Sequence, residues 1–126
     1  MQPLTYEAPG PYRRLHRGVQ VFYRPLSMGM RERQYLVDLL ERRDYGGMFL
    51  PEKHPMAPGT VLEMVFHPPG AEDRARPVRA RGMVVERRRW HGPGGMGILF
   101  LDFEGLDGGP LRETLDSILS PQDEAM

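Results

Sequence analysis

A small antiparallel β-barrel with one C-terminal α-helix is the fold class this sequence predicts, on three observations. Five or six short runs alternate apolar and polar residues with the period of a strand. Frequent Gly and Pro clusters separate those runs and supply the turns. Near the end, after Gly108-Gly109, the apolar residues switch to helical spacing. A chain of 126 residues suits one domain with its own core.

The elements follow in order. Residues 1–11, with Pro3, Pro9, Gly10 and Pro11 among few apolar side chains, predict a flexible N-terminal arm. The folded domain is expected over residues 12–119, with 120–126 as a tail. The basic stretch Tyr12-Arg13-Arg14-Leu15-His16-Arg17 reads as the continuation of the arm, leading into a strand over residues 19–26 that Pro25 closes or places at an edge. Ser27-Met28-Gly29 is a turn. Residues 34–40 fit two patterns: Tyr35, Val37 and Leu39 alternate, whereas Leu36, Leu39 and Leu40 share a helical face. The Tyr-Leu-Val content and short length favour a strand. Strands are also expected at residues 48–50, 60–67 and 78–87. In the third of these, Val78, Ala80, Gly82 and Val84 oppose Arg79 and Arg81 on the solvent side. Residues 96–103 are apolar on both faces and predict a central or covered strand. Pro110 suits the first turn of the final helix, and Leu111, Leu115, Ile118 and Leu119 form a stripe that caps the sheet.

Composition excludes several function classes. There is no cysteine, which removes disulfides, thiolate metal sites and cysteine nucleophiles. Formal net charge is zero, which argues against a nucleic-acid polymer as partner. No apolar run approaches the ~20 residues of a membrane span, so no membrane insertion and a cytoplasmic location are expected. His16, His54, His67 and His91 lack any metal-ligand spacing. None of Ser27, Ser117 and Ser120 lies in a nucleophile elbow, and Gly46-Gly47 is not followed by the Lys-Ser/Thr of a phosphate-binding loop. The chain therefore reads as a non-enzyme without metal or cofactor. Arg87-Arg88-Arg89-Trp90-His91 pairs cations with an aromatic, as single-stranded nucleic-acid sites do. It lacks a second stacking platform, and a solvated strand end is the simpler reading.

The N-terminal arginines carry the remaining chemistry. A guanidinium fork grips phosphate bidentately and also reads the O6/N7 edge of guanine. Arg13 and Arg17, four residues apart, have the right chemistry for a guanine nucleotide; a solvated basic turn is the alternative.

Four features in this order resemble the PilZ domain family, the bacterial receptor module for cyclic di-GMP. They are the Arg13-Arg14-Leu15-His16-Arg17 arm, Gly46-Gly47-Met48-Phe49-Leu50, Pro58-Gly59-Thr60 before a strand, and Gly95-Met96-Gly97-Ile98-Leu99-Phe100. The resemblance spans residues 13–103 and implies a six-stranded antiparallel barrel with an accessory helix. It also implies that Arg13 and Arg17, with Arg14 beside them, hold the guanine edges and phosphates of cyclic di-GMP. The family's second motif, Asp/Asn-x-Ser-x-x-Gly, falls without gaps on residues 42–47, where only Gly47 matches. Arg42 stands in the acid or amide place and Asp44 in the serine place. A four-residue insertion puts Asp38 in the acidic place but Leu40 in that of serine. Each charge-assisted hydrogen bond lost costs roughly 1.5–3 kcal/mol. Two functions are therefore expected as alternatives. One is a cyclic di-GMP receptor that signals through protein–protein contacts. The other is a degenerate PilZ adaptor that contacts a protein partner directly, as in pilus or motility systems, without the nucleotide.

Overall fold

The structure, a computed structural model, describes residues 12–42, 45–68, 77–88, 94–106 and 108–120. The expected arm at residues 1–11, the tail beyond Ser120, Asp44 and the Trp90–His91 pair lie outside the described residues.

Strand β6 (Gly95–Phe103) runs between β3 (Gly47–Pro51) and β5 (Val78–Arg88), antiparallel to both. Its apolar character on both faces follows from cover on each side: Met96, Ile98 and Phe100 enter one core cluster and Leu101 enters a second on the opposite face. Strand β4 (Val61–His67) pairs with β5, and β2 (Gln20–Pro25) pairs with β4. A two-residue strand, β1 (Tyr12–Arg13), joins the far edge parallel to β3. The order β1-β3-β6-β5-β4-β2 makes one six-stranded mixed sheet with two edges. The fold is mainly β, as expected. The antiparallel barrel is corrected to an open sheet, because β1 and β2 end it without pairing to each other. The sheet is nonetheless bent. Register shifts at Arg81/Gly82 and Val84/Glu86 add local twist, and Tyr23 on β2 donates its hydroxyl hydrogen to Glu52 just beyond β3.

Alternation sorts the side chains onto two faces. Met48, Leu50, Leu62, Met64, Phe66, Val84, Met96, Ile98 and Phe100 form the concave inner core. Helix α2 (Gly108–Ile118) closes that core with Leu111, Leu115, Ile118 and the following Leu119, as its stripe predicted. Arg112, Glu113 and Asp116 face solvent.

The outer face holds a second core that sequence reasoning missed. Residues 34–40 are not a strand but lie within helix α1 (Met30–Arg42). Leu36 is 1 % exposed and packs with Val61, Met83 and Leu101 from the back of the sheet. Val37, Leu39 and Leu40 widen the stripe, with Leu26 and Met28 from the approach to the helix. Burying a leucine in this way is worth roughly 1.5–3 kcal/mol, enough to decide between two backbones of similar propensity. Arg31, Glu32, Arg33 and Gln34 are also good helix formers. Glu32 lies in the first turn, where the helix dipole favours an acid. Arg33 N–H reaches the Gly29 carbonyl at 3.0 Å to begin the ladder.

Candidate functional site

The arginine stretch is held by backbone as well as by side chains, contrary to its expectation as a flexible arm. Tyr12 and Arg13 align with Gly47 and Met48 in β1 and β3. Leu15 forms a bridge with Leu119. His16 N–H donates to the Ile118 carbonyl at 2.9 Å, and Ser120 N–H donates to the Arg14 carbonyl at 2.8 Å. The stretch and the end of α2 therefore run side by side.

Strand alternation then sends neighbouring side chains to opposite places. Tyr12 lies flat over the outer face, where two glycines make room. A Cβ on Gly47 would meet the Ile98 carbonyl oxygen at 2.7 Å and Tyr12 Cδ1 at 2.9 Å. A Cβ on Gly97 would meet Tyr12 Cζ at 2.5 Å. Gly47, expected at a nucleotide site, thus has a packing reason for being glycine. The Tyr12 hydroxyl reaches Glu86 Oε2 at 3.4 Å. Burial, with the charge and hydrogen bond of Glu86 behind it, pushes the Tyr12 phenol up to about 12.

Arg13 turns the other way, onto the C-terminal end of α2. Its Nε donates to the Ser120 carbonyl at 2.6 Å, and Nη2 donates to the Leu119 carbonyl at 3.0 Å. The same Nη2 meets Asp116 Oδ1 at 3.1 Å. A helix C-terminus leaves carbonyls without intrahelical donors and carries partial negative charge. A guanidinium satisfies both needs, and the Arg13 side chain is only 19 % exposed. Bidentate capture of a phosphate or guanine would require breaking this clasp. At roughly 1.5–3 kcal/mol per charged hydrogen bond, giving up even one costs about tenfold or more in affinity.

The other expected site residues occupy several elements. Arg17 is exposed in the turn before Gly18, whose φ of 89° favours glycine. Arg14 is exposed beside Arg13. Asp38 is on α1 over the outer face, where its Oδ1 accepts from Gln34 Nε2 one helical turn earlier at 3.0 Å. Arg42 is the last residue of α1, and Asp44 lies outside the described residues. The structure brings Arg13 and Gly47 together through strand pairing and places Asp38 on helix α1.

Two surface grooves share Arg79 and Glu104. One, of about 320 Å³, is lined by Glu63, Arg79, Arg81, Asp102 and Glu104. The other, of about 680 Å³, adds Val78, Leu106 and Thr114. In the first, three carboxylates against two arginines give no preference for an anion. Arg81 donates through Nε and Nη2 to both carboxylate oxygens of Asp102, and that hydrogen-bonded pairing holds the guanidinium proton more tightly than usual. Among the described residues no group of three or more His, Cys, Asp or Glu side chains is placed to hold a metal, and no helix is long and apolar enough to cross a membrane.

Sequence reasoning missed Tyr12, Gly97, Asp116, Leu119 and Ser120 as determinants of this region. The spaced glycines of Gly95-Met96-Gly97 inside an apolar run carried a signal of close backbone or ring approach. Nothing local marks Arg13 as the partner of a helix end about a hundred residues away. Comparison with family models, with curated proteins and with solved structures found no match.

Proposed function

We propose that this chain is a non-enzymatic signalling module of the PilZ type that acts by direct contact with another protein, in the cytoplasm, without cyclic di-GMP as its ligand. One observation carries the choice between the two expected readings. Arg13, one of the two arginines matched to the guanine and phosphate contacts, donates through Nε and Nη2 to the Ser120 and Leu119 carbonyls and to Asp116. The departures at Arg42 and Asp44 from the family's second motif point the same way, as does the packing of Gly47 against Tyr12. Arg17, exposed in its turn, is what supports the receptor reading.

Titration calorimetry with cyclic di-GMP decides between them. The adaptor reading expects no heat at ligand concentrations of several hundred micromolar, on the order of where binding of about −5 kcal/mol is half-saturated. Saturable heat that disappears in both Arg13→Ala and Arg17→Ala would establish the receptor reading instead.

A further inference from the structure

We infer that the edge of β2 left unpaired among the described residues is a self-association surface, on which a second copy of this chain adds its own β2 antiparallel. The inference is independent of the nucleotide question. It starts from the hydrogen-bond phase of the edge. Leu26 N–H donates to the Val61 carbonyl at 2.8 Å, and Leu26 continues the register that pairs Arg24 with Glu63, Phe22 with Val65 and Gln20 with His67. In an antiparallel ladder bonded and non-bonded pairs alternate. Gln20, Phe22 and Arg24 therefore turn their backbone groups toward β4, and Val21 and Tyr23 turn theirs to the open edge.

The run has natural ends. Pro25 has no N–H to offer, and Val19 N–H is already committed to the His16 carbonyl at 3.1 Å. A two-fold axis at Phe22, perpendicular to the sheet, satisfies what remains. Val21 exchanges both bonds with Tyr23 of the second copy, and Tyr23 does the same with Val21. Inner faces then meet inner faces and outer faces meet outer faces. Gln20 lies opposite Arg24 of the second copy, so no like charges oppose each other.

Side chains favour the same arrangement. Phe22 is 60 % exposed on the outer face, with an edge-on ring contact to His67 at 5.4 Å. At the two-fold axis it faces its own copy in a non-bonded pair, the position where side chains approach most closely. Aromatic cross-strand pairs are among the more favourable ones. An edge strand with an exposed aromatic and unpaired backbone groups is a template for strand addition unless charges or proline block it. Here Arg24 and Pro25 limit the length of the ladder without closing it. A contact of this extent lies at the small end for specific interfaces, so the association is weak and concentration-dependent.

The lack of cysteine makes the register directly testable. In Phe22→Cys the two thiols meet across the axis at a Cα separation of about 4.5 Å, within disulfide range. In Gln20→Cys the same two residues lie two positions each from the axis and four from one another, roughly 13 Å along the strand, beyond it. Mild oxidation of the full chain at concentrations where it associates is expected to cross-link Phe22→Cys and leave Gln20→Cys single. Sedimentation equilibrium of the unmodified chain is expected to show a rise from one to two copies with concentration. Phe22→Lys, a change at an exposed side chain, is expected to weaken that association by more than about tenfold. A chain that stays single at every concentration overturns the inference and leaves the edge to a strand of another protein. So does a dimer indifferent to Phe22→Lys, or equal cross-linking of the two cysteine variants.

Discussion

Replacing Arg13 with alanine separates its two possible roles, because a ligand-binding arginine can be removed from the free protein at little cost and a clasp cannot. The substitution deletes the donors to the Ser120 and Leu119 carbonyls at 2.6 and 3.0 Å and the ion pair with Asp116. Asp116 is 65 % exposed, so that pair contributes little, about 0–1 kcal/mol. The carbonyl bonds come from a charged donor with most of its surface covered and are worth roughly 1.5–3 kcal/mol each, less what water recovers at a partly open helix end. The expected loss is about 2–4 kcal/mol. For a domain of this size it lowers Tm by on the order of 10 °C. Arg17→Ala, at an exposed turn, is expected to change stability by no more than about 0.5 kcal/mol. Arg13→Lys restores only part of the loss, since an ammonium cannot bridge two carbonyls and a carboxylate with a planar fork. Urea unfolding followed by circular dichroism measures all three variants. Equal midpoints for Arg13→Ala and the unmodified chain would refute the clasp.

Three further outcomes are expected. Gly97→Ala places a methyl carbon 2.5 Å from Tyr12 Cζ and costs more than about 2 kcal/mol; in a Tyr12→Ala background the same change costs much less, a non-additivity that a double-mutant cycle reads by urea unfolding. The phenols of Tyr12 and Tyr23 lie at about 12 when folded, against 10.0 when free. Their neutral forms thus stabilise the fold fully below pH 10, and this contribution is lost as pH rises from 10 through about 12. Phenolate absorbance followed beside circular dichroism checks the order, and ionisation of both phenols near 10 with the fold intact would contradict it. Leu36→Ala costs about 2–5 kcal/mol as a core truncation, whereas Tyr35→Ala, at a residue 61 % exposed, costs under about 1 kcal/mol; thermal unfolding distinguishes this helical assignment from a strand that would bury alternate residues.

What was legible in the sequence was set by how local its cause is. β4 alternates Leu62, Met64 and Phe66 against Val61, Glu63 and Val65, and the structure sends the first set to the inner core. The α2 stripe and the covered character of β6 likewise follow from short-range pattern. The error at residues 34–40 has a physical origin. Tyr35, Val37 and Leu39 alternate by coincidence, and the burial of Leu36 against Val61, Met83 and Leu101 is a long-range fact. The open sheet rather than a barrel is also long-range, since strand periodicity does not reveal which edges meet. At the candidate site, the guanidinium chemistry of Arg13 was readable, but its acceptors are residues more than a hundred positions later. A fork that suits a phosphate suits a helix C-terminus equally well, and only tertiary structure tells which one it faces.

The most direct test of Arg13 as a structural clasp in a nucleotide-independent module is the Tm of the unmodified chain with and without cyclic di-GMP. A ligand of the folded state present at a hundred times its dissociation constant adds about 2.7 kcal/mol, a rise of roughly 10 °C for a domain of this size. The account predicts an unchanged Tm at millimolar nucleotide. A saturable rise that Arg17→Ala removes would contradict it.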